Sequence, residues 1–168
     1  MKITTIKAKS VSYGKQRDRG TIKYIVIHYT AGHKDTAVAE GNYFKNVNTR
    51  SAGAHFFVGQ DGTVVKSIPM NLIAWAVGGS KYCSSTGGGK YYGKCTNANS
   101  VSIELCDNLK RDPSDAQIKA VKELIKYIRK YCPNAKTVIR HFDVTGKNCP
   151  ARMTNKSAWA WFKYCIGE

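Results

Sequence analysis

Tyr24-Ile25-Val26-Ile27-His28-Tyr29 is the stretch whose reading decides how this chain is organised. A strand with one wet face alternates apolar and polar residues, whereas the unbroken run Tyr24 to Ile27 needs cover on both faces. Thr21 to Tyr29 is therefore expected to be a strand inside the molecule, with His28 emerging at its C-terminal end.

Working outward, Asp35 or Thr36 can cap a short helix through about Asn46, with Val38, Ala39 and Tyr43 at helical spacing and Gly41 as a weak point. His55 to Val58 and Thr63 to Ile68 flank Gly59-Gln60-Asp61-Gly62, whose Asp-Gly is a hairpin signal. Gly78 to Asn99 is rich in Gly, Ser, Tyr and Lys and reads as a long surface loop, a feature more often functional than accidental in a compact domain. Ser100 to Cys106 alternates, with Val101, Ile103 and Leu105 on one face and Ser102 and Glu104 on the other. Ser114-Asp115-Ala116-Gln117 reads as a capping box for a helix whose core stripe is Ile118, Val121, Leu124, Ile125 and Ile128 and which stops at Cys132-Pro133. Thr137 to Arg140 is a short buried strand that delivers His141, and Trp159, Trp161 and Phe162 suggest a closing helix packed on the body.

The 168 residues are expected to form one domain, 1–168, with no linker long enough to divide two. The longest apolar runs, near Ile25 and from Leu72 to Val77, fall well short of the roughly 20 residues that cross a bilayer, so no transmembrane segment is expected. Met1-Lys2-Ile3 leads into Thr, Lys and Ser, which is no secretory signal. Lys and Arg number 27 against 11 Asp and Glu, a net charge of +16 spread along the whole chain, which draws the molecule toward polyanions. Nucleic acid would satisfy that charge, but no aromatic and basic motif of known type accompanies it, so no specific nucleic-acid binding is expected. Of six cysteines, Cys83 and Cys95 flank a flexible segment that a disulfide would close under oxidising conditions, while Cys106, Cys132 and Cys165 read as small buried hydrophobes.

Chemistry concentrates in Arg140-His-Phe-Asp-Val-Thr-Gly-Lys-Asn-Cys-Pro150 read together with His28. His28, His141 and Cys149 are three ligands of kinds that zinc prefers, one fewer than a closed structural site uses, a count that points to catalysis. Two neutral imidazoles and one thiolate would leave positive charge on the metal, able to polarise a carbonyl. Glu104 is an acid on an otherwise apolar strand, a costly placement unless it faces a polar cleft or open solvent. In a cleft it is the candidate general acid and base. Lys147, two residues before Cys149, is either one more basic surface residue or a cation aimed at a developing oxyanion.

His28-Tyr-Thr-Ala-Gly, Ala54-His-Phe-Phe-Val with Asp61-Gly62, Trp75 before Gly78-Gly79, Asn99-Ser-Val-Ser-Ile-Glu-Leu, and His141 with Lys147-Asn-Cys-Pro together resemble the zinc-dependent N-acetylmuramoyl-L-alanine amidases of the type-2 family. The similarity covers about Tyr24 to Met153, and several separate motifs occur in the family's order. That family shares its fold with peptidoglycan recognition proteins and includes phage endolysin catalytic domains. The resemblance implies an α/β fold with a central mixed β-sheet flanked by helices. It implies Zn²⁺ on His28, His141 and Cys149, catalysis by Glu104 and Lys147, and hydrolysis of the amide between N-acetylmuramic acid and the L-alanine of the stem peptide. Non-catalytic recognition proteins typically lose the Cys ligand, so Cys149 favours an enzyme over the alternative, a module that binds peptidoglycan without cleaving it. Some members carry a Tyr before the histidine of the His-Phe pair, where this chain has Ala54. Trp75, Asn99 and the loop between Gly78 and Asn99 are the candidate walls of the substrate groove, with Trp75 equally able to be core, and His55 reads as structural or substrate-facing. The same resemblance implies a monomer made in the bacterial cytoplasm without a signal peptide. It would act on the cell wall after release, helped by attraction to anionic wall polymers.

Overall fold

The computed structural model describes residues 1–79 and 87–168. Its centre is β3 (Tyr24–Tyr29), which lies parallel to β7 (Ser100–Leu105) on one side and to β8 (Thr137–Arg140) on the other. β4 (Phe56–Val58) continues the sheet parallel to β7 and pairs antiparallel with β5 (Val64–Lys66), and β1 (Ile3–Thr5) closes the edge parallel to β5. The order β1-β5-β4-β7-β3-β8 is a mixed six-stranded sheet, as the α/β expectation required. β2 (Tyr13–Gln16) and β6 (Leu72–Ala74) form a separate antiparallel pair.

Both faces of β3 are covered, which is why its apolar run is unbroken. Ile25 and Ile27 point to the same side as Val101, Ile103 and Leu105 of β7. They pack there against Ile118, Val121, Leu124, Ile125 and Ile128 of α2 (Asp115–Tyr131) and against Phe162 and Ile166 of α4 (Lys156–Ile166). On the opposite side, Val26 meets Val77, Ile139 and Val144, and further along the sheet Phe57 and Val65 meet α1 (Ala37–Asn46). That second face carries His28 and Glu104, because parallel strands in register project paired residues to one side and His28 pairs with Glu104.

The Asp-Gly hairpin forms, with Gly62 at φ +80° accepting the left-handed conformation of the turn. α2 starts and stops where expected, its N-cap Ser114 accepting from the Gln117 backbone N–H. The reciprocal half of the capping box is absent. Gln117 is fully buried and instead donates to the carbonyls of Val58 and Cys106, tying the helix to the ends of β4 and β7.

Three expectations need correction. α1 is capped by Thr36, but Val38 and Tyr43 face solvent, and the packed side is Ala37, Gly41 and Phe44. A Cβ at Gly41 would lie 2.9 Å from Val65 Cγ1, so the glycine permits the close approach of α1 to the sheet. Trp161 is 48% exposed, and only Phe162 and the flank of Trp159 pack inward. In the segment before Asn99, Cys95 is buried against Val26 and Ile139, and Tyr91 packs beside it, so this is more than a surface loop. Cys83, and with it the suggested bridge to Cys95, lies outside the described residues.

Candidate active site

The C-terminal ends of β3, β7 and β8 bring three donors together. Ile27 pairs with Arg140, the last residue of β8, so His28 and His141 are the next residues along the two neighbouring chain segments, with ring centroids 4.7 Å apart and planes at 62°. Cys149 Sγ lies 3.8 Å from His28 Nδ1, and one donor atom from each of His28, His141 and Cys149 falls within 4.8 Å of the others. All three residues are buried. Glu104 stands across the strand pair from His28, its Oε1 4.0 Å from Nδ1.

Cys149 lies outside the sheet and is held by a clamp that sequence reading did not single out. α3 (His141–Thr145) begins at once after β8, and the Asp143 carboxylate accepts from the Arg140 backbone N–H at 2.8 Å. The same carboxylate takes two hydrogen bonds from the Arg140 guanidinium, at 3.0 and 2.6 Å. The third guanidinium nitrogen donates to the Met153 and Thr154 carbonyls, which fixes the chain just after Cys149. The Phe142 N–H donates to the Cys149 carbonyl at 2.8 Å, and the Cys149–Pro150 peptide is cis. An acidic residue three positions into a helix is the only sequence signal of this arrangement, and it is weak on its own.

The electrostatics of the cluster keep its three donors uncharged. Burial, with His141 and Lys147 adding repulsion, holds the His28 imidazole well below the usual histidine range. Burial and Lys147 bring His141 down to about 4. Both rings are therefore neutral at pH 7, the form that ligates a metal. Burial and the charge of Glu104 push the Cys149 thiol up to about 12, so without a cation the thiolate is disfavoured. The Glu104 carboxyl is raised to about 8, by burial first and then by Glu40. His28 Nε2, His141 Nε2 and Glu104 Oε2 are buried without a hydrogen-bond partner. Such orphaned atoms are costly in a native protein. A soft divalent cation is what two neutral imidazoles and one thiol have in common, so the donor set fits one.

These groups open into a cleft of ≈ 320 Å³. Its walls include Tyr29, Glu40, Phe44, Arg50, Phe57, Trp75 and Lys147. Lys147 is exposed, and its charge acts on Glu104, His141 and Cys149. Trp75 is a wall and not core, seated so closely on Gly14 that a Cβ there would come within 2.6 Å of the ring. Asn99 is not brought to the cleft. Its carboxamide accepts from the Thr96 N–H and donates to the Lys94 carbonyl, which stabilises the turn leading into β7.

His55 is structural. It is 1% exposed, its Nδ1 accepts from the Ser102 N–H at 3.0 Å, and its Nε2 lies 3.2 Å from the Leu72 carbonyl and 2.9 Å from Arg17. Ala54 is buried beside Ala37 and Phe57, and His33 is a loop residue 3.5 Å from Asp107. Glu40 and Phe44 are cleft residues that the sequence does not announce, because the inner face of α1 is built on Ala37 and Gly41, and Arg50, in the segment after α1, joins them without a sequence signal.

Comparison with known proteins agrees with this geometry. Over 149 residues the chain is 31% identical to the N-acetylmuramoyl-L-alanine amidase CwlA of Bacillus subtilis, covering 86% of this chain and 48% of that protein. It is 27% identical to CwlL of Bacillus licheniformis over 142 residues, 82% of this chain and 38% of that protein. The chain thus spans less than half the length of these relatives. Among solved structures, the catalytic domain of XlyA superposes with a TM-score of 0.74 at 25% identity, over 99% of this chain and 100% of that one. A mutant endolysin from Bacillus subtilis gives 0.70 at 26% identity, over 99% of each chain. The model of the N-acetylmuramoyl-L-alanine amidase family matches residues 18–152, and the chain belongs to that family.

Proposed function

We propose that this domain hydrolyses the amide between the lactyl group of N-acetylmuramic acid and the L-alanine of the stem peptide, as a zinc-dependent, endolysin-type enzyme acting on the cell wall. The observation that carries this is the meeting of His28, His141 and Cys149 beside Glu104 at one end of a cleft. His28, His141 and Cys149 would hold the zinc ion. When bound, the ion supplies Lewis acidity to the scissile carbonyl.

The remaining work falls to side chains of this chain. Glu104 sits in a poorly hydrated pocket beside His28, its Oε1 4.0 Å from Nδ1, a position from which a carboxylate can take a proton from the attacking water and pass it to the departing alanine amine. Lys147 presents an ammonium to the same space and would donate to the oxyanion that forms as the carbonyl is attacked. Trp75 and Phe44 offer aromatic faces on which a sugar ring or a peptide plane can lie. The net charge of +16 would concentrate the domain on anionic wall polymers.

Digestion of purified sacculi tests the reaction. The proposal expects one new N-terminal alanine for each stem peptide released, no new reducing sugar ends, and loss of both release and alanine signal with a chelator. Binding to sacculi without release would favour the non-catalytic alternative, and new reducing ends would indicate a glycosidase.

A further inference from the structure

Glu40 lies in the first turn of α1 and lines the same cleft as His28, Glu104 and Trp75. It is half-buried, and its carboxylate has no hydrogen bond or ion pair among the described residues. It stays so although Lys and Arg outnumber acids 27 to 11. Asp107, Asp112, Glu123, Asp143 and Glu168 each hold an Arg or Lys. Arg50 and Lys147 line the cleft too, yet neither comes within ion-pair distance of Glu40. Burial and the charge of Asp35 raise its carboxyl to about 7, a cost that a bound cation would remove.

Phe44, one helical turn further along α1, and Phe57 and Trp75 surround the same space with aromatic surface. A carboxylate among aromatic faces attracts an ammonium both by charge and through the ring quadrupoles. A neutral N–H or O–H would gain only an ordinary hydrogen bond, about half as strong as a charge-assisted one.

We propose that Glu40 is a specificity-determining residue that binds a protonated amine of the substrate, an inference that rests on the amidase reading above. Peptidoglycan offers this chemistry from two sources, the side-chain amine of a diamino acid in the stem peptide and the amine of a hexosamine that lacks its acetyl group.

Two substrate pairs distinguish them. The first pair is a muramoyl peptide with its side-chain amine free or acetylated, and the second is a short glycan-linked peptide with its neighbouring hexosamine de-acetylated or acetylated. For one pair, the wild-type enzyme is expected to show a KM about tenfold lower for the free amine, with kcat little changed. Glu40→Gln is expected to bring that ratio close to one. The pair that discriminates identifies the source. Cleavage of all four substrates without preference for a free amine overturns the proposal and leaves the amidase reading intact, as does a ratio that survives in Glu40→Gln. The wild-type comparison decides this even if the variant is unstable. Failure to cleave any of the four at the muramoyl–alanine bond overturns the amidase reading and this proposal with it.

Discussion

Glu104 illustrates how a residue betrays a role through its cost. A carboxyl with its Oε2 buried and unpartnered, in the middle of a sheet, destabilises the fold unless the site uses it. Replacing it by Gln keeps the shape and removes the proton transfer. Glu104→Gln is expected to lower turnover of a soluble muramoyl peptide by a factor of about 10²–10⁴ without lowering Tm. Near-normal turnover would remove Glu104 from the reaction.

His55 carries a different cost. Burial, then Arg17, holds its imidazole at about 3 against an ordinary value of 6.5. The unfolded chain therefore binds a proton below pH 6.5 that the folded chain refuses. The stabilisation is complete above pH 6.5 and is lost as pH falls toward 3, at about 1.4 kcal/mol per pH unit. His28 and His141 shift in the same direction, so the comparison must be with His55→Gln. Thermal unfolding between pH 6.5 and 4 is expected to fall more steeply in the wild type than in that variant. Parallel slopes would mean that His55 titrates normally.

At the scale of elements, two side chains act as ties. Gln117 bonds the carbonyls of Val58 and Cys106, and the Val58 carbonyl also accepts from the Cys106 N–H, so Gln117→Leu takes the side-chain donor from the buried Cys106 carbonyl and is expected to cost about 1–3 kcal/mol in denaturant unfolding. Arg140 joins β8, α3 and the segment after Cys149. Arg140→Met strands the Asp143 carboxylate and is expected to cost about 3–5 kcal/mol, and to weaken zinc affinity although it removes no donor. Unchanged affinity in a folded Arg140→Met would show that the clamp does not position Cys149.

β3, β7 and α2 were legible in the sequence because their periods are strong: an unbroken run in β3, alternation in β7 and a five-residue stripe in α2; the short strands β1, β2 and β6 carry no such period and were not. The face of α1 was not. Its inner side is built from Ala37 and Gly41, and small residues that permit close packing carry no hydrophobic signal. That error concealed Glu40 and Phe44. His28, His141, Cys149, Glu104 and Lys147 stand out as candidates by residue type, and the fold brings all five to one cleft. Asn99 was misplaced because an amide that stabilises a turn looks like one that binds a ligand. The Arg140–Asp143 clamp depends on contacts that no local pattern encodes.

At the scale of the molecule, the sheet brings the candidate groups to one end of β3, β7 and β8, and the chain carries a net charge of +16. Binding to sacculi is expected to weaken from low to high salt, as the screening length contracts from about 30 Å at 0.01 M to about 3 Å at 1 M. Turnover of a small soluble muramoyl peptide is expected to change far less. Salt-independent sacculus binding would assign targeting to shape and not to charge. The central claim is that two imidazoles and one thiolate from β3, α3 and the turn after it bind one catalytic zinc ion. Zinc-edge X-ray absorption on the domain loaded with one equivalent of zinc tests it most directly. The expected first shell contains one sulfur at about 2.3 Å and two imidazole nitrogens at about 2.0 Å, with the sulfur lost in Cys149→Ser. A shell without sulfur in the wild type, or one filled by four protein donors, would contradict it.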